Sequence, residues 1–336
     1  MPTTRLTRAA KDRVSGHGAD RPPPTTVPTS ALPKSGPLKK RRRTREGLAA
    51  VLFSAPAIAL LLLFLVAPFV SAVVLSFTNQ RLSSPLPVAF VGFENYQRIF
   101  TDPQFWRSFG NNSLFAALVV PLQTSAALGL AILVNRQLPG RVFFRTVYFL
   151  PTVTVMAVAA VVWKLLLLPE GGLVNGVLGT LTFGQLQPGW LSSTSWAMPA
   201  IVLTSVWQGV GFQMVIFLAG LQAIPQSLYE AARVDGAGAW QQFRHVTLPG
   251  LRNTLIFVLN VTAIFAFRLF DQVYLMPQFP GGPLDSTRTM MLQLLQTGYT
   301  RRMIGQASAI AVFFFLFVLA VTLIQRRLGR EERAVR

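Results

Sequence analysis

The chain has 336 residues, is 51% hydrophobic and only 13% charged, and carries 26 Phe and no Cys. Soluble domains hold nearer a quarter charged residues, so this balance favours a polytopic membrane protein; the missing cysteines exclude disulfides and thiolate metal sites. The net charge of +19 would suit a nucleic-acid binder, but twelve of the 31 Lys and Arg lie in the first 50 residues and culminate in KKRRRTR, directly before the first apolar run. Such a juxtamembrane cluster orients a membrane chain and meets anionic headgroups, so membrane lipid, and no nucleic acid, is its expected partner.

Residues 1–46 are basic and proline-rich without apolar periodicity, and they read as a disordered tail too polar for a cleaved signal peptide. Crossing the hydrocarbon core takes about 20 apolar residues. Six segments qualify: Leu48–Phe77, Ser108–Val134, Phe144–Leu168, Ser195–Gly220, Asn253–Leu275 and Ile304–Gln325. The fold class is therefore all-α with six transmembrane helices over residues 47–328, and residues 329–336 form a short tail. Pro56, Pro68, Pro121 and Pro151 fall inside these segments and predict kinks that neighbouring helices support. With the N-terminus cytoplasmic, the inner regions hold 23 Lys and Arg and the outer loops 7, which places both termini on the cytoplasmic side.

On that count the stretch 221–252 is a cytoplasmic loop, and within it YEAARVDGAGAWQQFRHVTLPGL is too polar to span and too regular for coil. Glu230 and Asp235 are the first acids after an uncharged run from Gly171 to Tyr229. Pro225 suits a first helical turn, Glu230 and Arg233 stand at i,i+3, and Gly236 and Gly238 supply left-handed turn conformations. A second amphipathic stretch follows, with Trp240, Phe243 and Val246 spaced by three, until Pro249 starts the next span. Ala231 and Ala232 leave one face nearly flat, so another surface can approach the backbone: this is a docking element.

The loop resembles the signature of the membrane subunits of bacterial ABC importers: EAA, three residues, Gly, nine residues, Ile, any residue, Leu, Pro. Here Glu230, Ala231, Ala232, Gly236, Leu248 and Pro249 fall at those positions, with Val246 replacing Ile. The similarity runs from about Leu48 to Leu328 and points to the carbohydrate branch, the maltose-type and glycerol-phosphate-type first permease subunit. FVGFENYQRIF, LPGRVFFRTVYFLP, FDQVYLM, GGPLDSTRT and GQASAIAV support it.

The resemblance implies a type I ABC importer permease fold in a bacterial cytoplasmic membrane. The partners it implies are a second homologous permease, two ATPase subunits and an extracytoplasmic substrate-binding protein. Its loop forms a coupling helix docked in a cleft of the ATPase, Glu230 facing a basic residue there. Because the chain has no GxxxxGK[ST] loop, ATP and Mg belong to the partner ATPase; this subunit is no enzyme and needs no cofactor of its own.

Charged residues within a span call for a functional hypothesis. Arg268 and Asp271 stand at i,i+3 on the fifth span, roughly 24 Å beyond Arg252 at ~1.5 Å per helical residue. They either line the path of an incoming sugar or form an ion pair that fixes helix packing. Thr262 and Phe265, one turn inward, offer a hydroxyl and an aromatic face for a sugar. The resemblance places substrate contacts in this part of the fifth span, but Ala266 and Leu269 stand where the maltose system has amides. Trp207, Gln208 and Gln213 on the fourth span are further path residues or interhelical packing, and Lys164 is expected to snorkel to the outer interface.

The rival function is an ion-coupled secondary transporter of a small polar solute. It would need a relay of buried acids or histidines, for which only Asp271 qualifies.

Overall fold

The computed structural model describes residues 40–83, 87–136 and 140–331, with side chains from Val51 to Arg327 within those ranges. Most of the expected tail, residues 1–39, lies outside them, as do residues 332–336. The chain divides into two compact units, 1–59 and 60–336. The described part of the first belongs to helix α1 (Lys40–Leu61), which starts inside the segment expected to be disordered. Lys and Arg are good helix formers, and neither Gly nor Pro interrupts the chain from Leu38 to Glu46, so helix reaches back into the basic cluster.

The second unit starts with the last two residues of α1, then a π-turn at Leu62–Val66, followed by α2 (Ala67–Leu75). Pro68 stands two residues beyond that turn, and the same order recurs where a π-turn at Phe243–Thr247 precedes Pro249. Proline has no N–H to donate and crowds the carbonyl four residues back; the wider turn relieves both without ending the helix. Helix α3 (Glu94–Thr101) lies across one end and leads into α4 (Pro103–Asn135), whose first turn is capped by Asp102 accepting from the Gln104 N–H at 2.8 Å. After these come α5 (Arg141–Val153), α6 (Met156–Leu166), the short α7 (Leu173–Leu181) and the long α8 (Ala197–Gln222). The loop contributes α9 (Gln226–Val234), α10 (Ala239–Gln242) and α11 (Leu248–Gly250). The chain closes with α12 (Arg252–Phe267), α13 (Asp271–Leu275), α14 (Met290–Leu295) and α15 (Ile304–Glu331). Among the described residues the only extended pairing is an isolated bridge between Thr78 and Phe90.

Among the described residues, five helical stretches are long and apolar enough to cross a membrane: Val51–Ser76, Pro103–Asn135, Ala197–Gln222, Arg252–Leu275 and Ile304–Arg327. The third expected span, Phe144–Leu168, is not one straight helix. Helices α5 and α6 meet at 101°, with Thr154 and Val155 both extended. Pro151 weakens the helix there, and the fourth span takes up the freed groups: Gln208 Nε2 donates to Thr154 O at 3.0 Å and Thr152 Oγ1 donates to Gln208 O at 3.0 Å. The fifth span is interrupted as well, at Arg268–Phe270 between α12 and α13.

Two apolar clusters hold the second unit. One joins Phe115 and Val119 of α4, Ile201 of α8 and Phe267 of α12. The other, at the loop end, joins Ala127 and Ala131 of α4, Phe217 and Leu221 of α8, and Val258 of α12. Each of these three helices passes through both clusters, so the residues between them share one height. Helix α5 packs closely on α8 because Gly211 has no side chain: a Cβ there would stand 2.1 Å from Tyr148 O.

Candidate functional site

The loop that follows α8 is built to be rigid. Its first helix, α9, starts directly after Pro225 and is pinned by Tyr229, whose hydroxyl lies 3.0 Å from Thr247 Oγ1 in the π-turn. It ends in a Schellman motif: the Gly236 N–H donates to Arg233 O at 3.1 Å and the Ala237 N–H to Ala232 O at 2.9 Å. Gly236 takes φ +77°, as its place in the turn requires. Gly238 differs from expectation, being extended (φ −69°) and serving as the N-cap of α10, its N–H donating to Gln241 Oε1 at 2.8 Å. Arg233 turns its Nε back to Tyr229 O at 3.3 Å instead of meeting Glu230.

This leaves a free surface. Glu230, Ala231 and Asp235 are exposed, and Glu230 makes no hydrogen bond or ion pair among the described residues. Beside them Val234 is 88% exposed and Trp240 70%. Trp240 stacks on Phe243, ring centroids 5.4 Å apart, and while Phe243 and Val246 are half-buried, Trp240 stays uncovered. Ala232 and Leu248 are half-buried and Pro249 exposed. Leu251, just beyond, is buried in the loop-end cluster and fixes the loop to the spans.

Between the two apolar clusters lies a polar layer. Gln123 of α4, Ser205, Gln208 and Gln213 of α8, Thr262 of α12 and Gln272 of α13 meet around two adjoining spaces of about 370 and 250 Å³. Thr262, Phe265, Arg268 and Asp271 all line the larger one, so the structure brings the four expected path residues together. Their roles are distinct. The Thr262 hydroxyl is occupied, accepting from Gln213 Nε2 at 2.5 Å and donating to Val258 O at 2.6 Å, so it ties α8 to α12. Phe265 is exposed and lines both spaces, presenting a ring to whatever fills them.

Arg268 and Asp271 do not form the ion pair that their i,i+3 spacing allowed. The α-helix closes at Arg268, whose N–H bonds back to Phe265 O at 3.0 Å, and Phe270 at φ −142° redirects the chain before α13 begins. With the helix interrupted the spacing no longer places both side chains on one face. Neither charged group has a hydrogen-bond or salt-bridge partner among the described residues, and both border the cavity.

Of the further path residues, Gln208 faces both spaces and uses its amide N–H to hold the break in the third span. Trp207 packs edge-on against Trp163, centroids 5.6 Å apart. Lys164 does not simply reach for the interface. Its Nζ donates at 3.4 Å to both Leu275 O and Pro277 O, where a cation complements the free carbonyls at the C-terminal end of α13.

Sequence reasoning missed Gln123, Ser205 and Gln272. Gln123 makes no side-chain hydrogen bond among the described residues, and it lies directly against Gly209, where a Cβ would fall 2.4 Å from Gln123 Nε2. A glutamine in mid-span, two residues after Pro121, was the available signal. Also missed was Arg288 in GGPLDSTRT. Counted as an outer-loop charge, it is buried and donates to Asp285 Oδ1 (2.7 Å), Gln293 Oε1 (2.8 Å) and Gln296 Oε1.

A helical membrane bundle that encloses a polar layer at mid-span and presents a rigid, uncovered loop at one end has the build of a transport subunit. Residues 123–333 match the family described as binding-protein-dependent transport system inner membrane component, and the chain belongs to that family. It is 38% identical over 287 residues to the sulfoquinovosyl glycerol transport system permease protein SmoG of Agrobacterium fabrum, covering 85% of this chain and 92% of that protein. It is 33% identical over 284 residues to the lactose transport system permease protein LacF of Rhizobium radiobacter, covering 84% and 94%. A crystal structure of a bacterial alginate ABC transporter, in complex with a periplasmic protein that carries an alginate pentasaccharide, contains a chain of the same fold. Its TM-score is 0.75 at 22% identity, over 87% of this chain and 96% of that one.

Proposed function

We propose that this chain is the permease subunit of an ATP-driven importer of a sugar or sugar derivative in a bacterial cytoplasmic membrane. Both termini and the loop around Glu230 face the cytoplasm. A second homologous permease completes the path, an extracytoplasmic substrate-binding protein delivers the sugar, and two ATPase subunits hold ATP and Mg and carry out hydrolysis. The chain supplies geometry and requires no cofactor. The observation that carries this reading is the uncovered surface of Glu230, Ala231, Val234, Asp235 and Trp240 on a loop locked by Gly236 and Tyr229. A rigid lever with an apolar, acid-bearing face suits docking into a basic cleft, through which ATP-driven closure shifts the spans between inward- and outward-facing states.

The mid-span cavity suits the cargo. Amides of Gln123 and Gln208, the charges of Arg268 and Asp271 and the ring of Phe265 give a sugar hydrogen-bonding partners for its hydroxyls and an apolar surface for its C–H face. The names of SmoG and LacF favour the same class of cargo. The test is uptake of radiolabelled sugars into proteoliposomes holding the two permeases and the ATPase, with binding protein outside. Uptake should require ATP on the ATPase side and the binding protein on the other; transport driven by an ion gradient without ATP would refute the assignment.

A further inference from the structure

Helix α7 belongs to no span. It lies between the end of α6 and the start of α8, at the end of α8 remote from the Glu230 loop. One side of it is fixed. Asn175 is buried, donates to Pro169 O at 3.2 Å and Pro188 O at 3.1 Å, and accepts from Trp190 Nε1 at 2.8 Å, while Val174 packs on the core. The opposite side is apolar and bare: Leu173, Val177 and Leu181, spaced by four, are 65%, 52% and 73% exposed. Phe183 follows at 94% exposed, with its backbone in the left-handed region (φ +53°).

Three observations say what covers this face. From Gly171 to Trp196 the connecting segment holds no charged residue, so the apolar stripe lacks the charged rim that surrounds a protein-docking patch meeting water. The hydroxyls close to the bare face bond back to their own helix, Thr180 Oγ1 to Gly176 O and Thr182 Oγ1 to Leu178 O, each at 2.6 Å, so neither of these donors is left unpaired. The preceding helix exposes Val161, Val162 and Leu165, and Leu168 just beyond it is exposed as well, so the stripe follows the apolar flank of a membrane-crossing element along the chain. Trp190 and Trp196, ring centroids 5.2 Å apart, stand at the entrance to α8, where indoles settle at headgroup level.

We propose that α7 is an interfacial helix, lying in the leaflet remote from the Glu230 loop, with Leu173, Val177, Leu181 and Phe183 among the acyl chains of phospholipids. A helix of this kind buries its apolar face roughly 5–10 Å below the headgroups. It would anchor the end of the broken third span, whose α6 packs on α13 beside the cavity, against the bilayer surface. Lipid composition and thickness in that leaflet then bear on the path.

The chain has no cysteine, so single probes can be placed without a background. Val177→Cys, Leu181→Cys and, as a water-facing reference, Arg81→Cys in the full chain would be labelled with a polarity-sensitive fluorophore. The proteins would be reconstituted into phosphatidylethanolamine–phosphatidylglycerol vesicles, with or without lipid bearing a doxyl group near the headgroup end of its chain. Positions 177 and 181 should be quenched by the doxyl lipid several-fold more than position 81 and shielded from aqueous iodide, both in the isolated chain and in the assembled transporter. Iodide access equal to that at position 81 would overturn the proposal. So would shielding that appears only when the second permease or the binding protein is added, since the stripe would then be a protein contact. The three sites are exposed, and Thr180→Cys adds a fourth reading on the rim of the stripe, where intermediate quenching follows from the helical period.

Discussion

Substituting Gly236 isolates the backbone contribution of the loop from every contact around it. The residue takes φ +77°, and a Cβ built there meets no atom within 4 Å, so a larger side chain brings no clash. What remains is the cost of the left-handed conformation, about 1–2 kcal/mol for an ordinary L-residue. Gly236→Ala should therefore reduce the population of the docking-competent turn by roughly 5–30-fold. Gly236→Val should cost more, because a β-branched side chain narrows the allowed region further, and Gly236→Asn should recover most of the loss, since Asn tolerates this region. The spans rely on the two apolar clusters and not on this turn, so the amount of folded chain should not change. The assay is co-purification of the ATPase with each variant, together with hydrolysis stimulated by the binding protein, and the expected order is Gly, Asn, Ala, Val. Full association and stimulation for the Val variant would refute the argument. An Asn variant as defective as the Val variant would show that the loss does not come from φ.

Other perturbations address the remaining parts. Glu230→Lys puts a positive charge on a fully expressed, exposed loop; opposed to a basic cleft it should abolish ATPase co-purification, since like charges juxtaposed at an interface cost several kcal/mol. Arg268→Ala and Asp271→Ala should each lower uptake without lowering membrane levels, and because the two groups are unpaired their effects should add to within ~0.5 kcal/mol in a double-mutant cycle of uptake rates. Gly211→Ala forces a Cβ to 2.1 Å from a backbone oxygen of α5, and overpacking of this kind should cost about 1–3 kcal/mol, read as a lowered melting temperature and poorer monodispersity in detergent.

Features that depend on one stretch of chain were legible in the sequence. The spans could be located because a crossing demands a long apolar run whatever its neighbours do. The turn at Gly236 could be located because a helix that ends in a left-handed residue uses glycine for a steric reason local to that residue. The mid-span cavity was legible only in part. Thr262, Phe265, Arg268 and Asp271 do border one cavity, but Gln123, Ser205 and Gln272 join them through the stacking of three spans at one height, a relation that no single helix carries. Conversely, the ion pair between Arg268 and Asp271, one of the two readings their spacing allowed, assumed a continuous helix, and the assumption fails at Phe270.

The two places where continuous spans gave way share a physical cause. The third span breaks at Thr154–Val155 and the fifth at Arg268–Phe270, and both breaks open onto the polar layer: Thr152, Met156 and residues 268–272 line its two spaces. Within a bilayer, backbone that leaves the helix is tolerated only where it is buried in protein or lines a cavity, because its carbonyls and N–H groups need partners that lipid does not offer. Gln208 supplies one such partner to Thr154 O, and Lys164 complements the carbonyls of Leu275 and Pro277 where α13 ends. Gln208 comes from a different span than the break it serves, and Lys164 from a different span than the helix end it caps, so a sequence read one helix at a time misses such compensation. The interruptions therefore mark the cavity more sharply than any one side chain. Unwound backbone at this depth is costly, and its placement around a single cavity on two separate spans is what a route for a polar solute through the bundle requires.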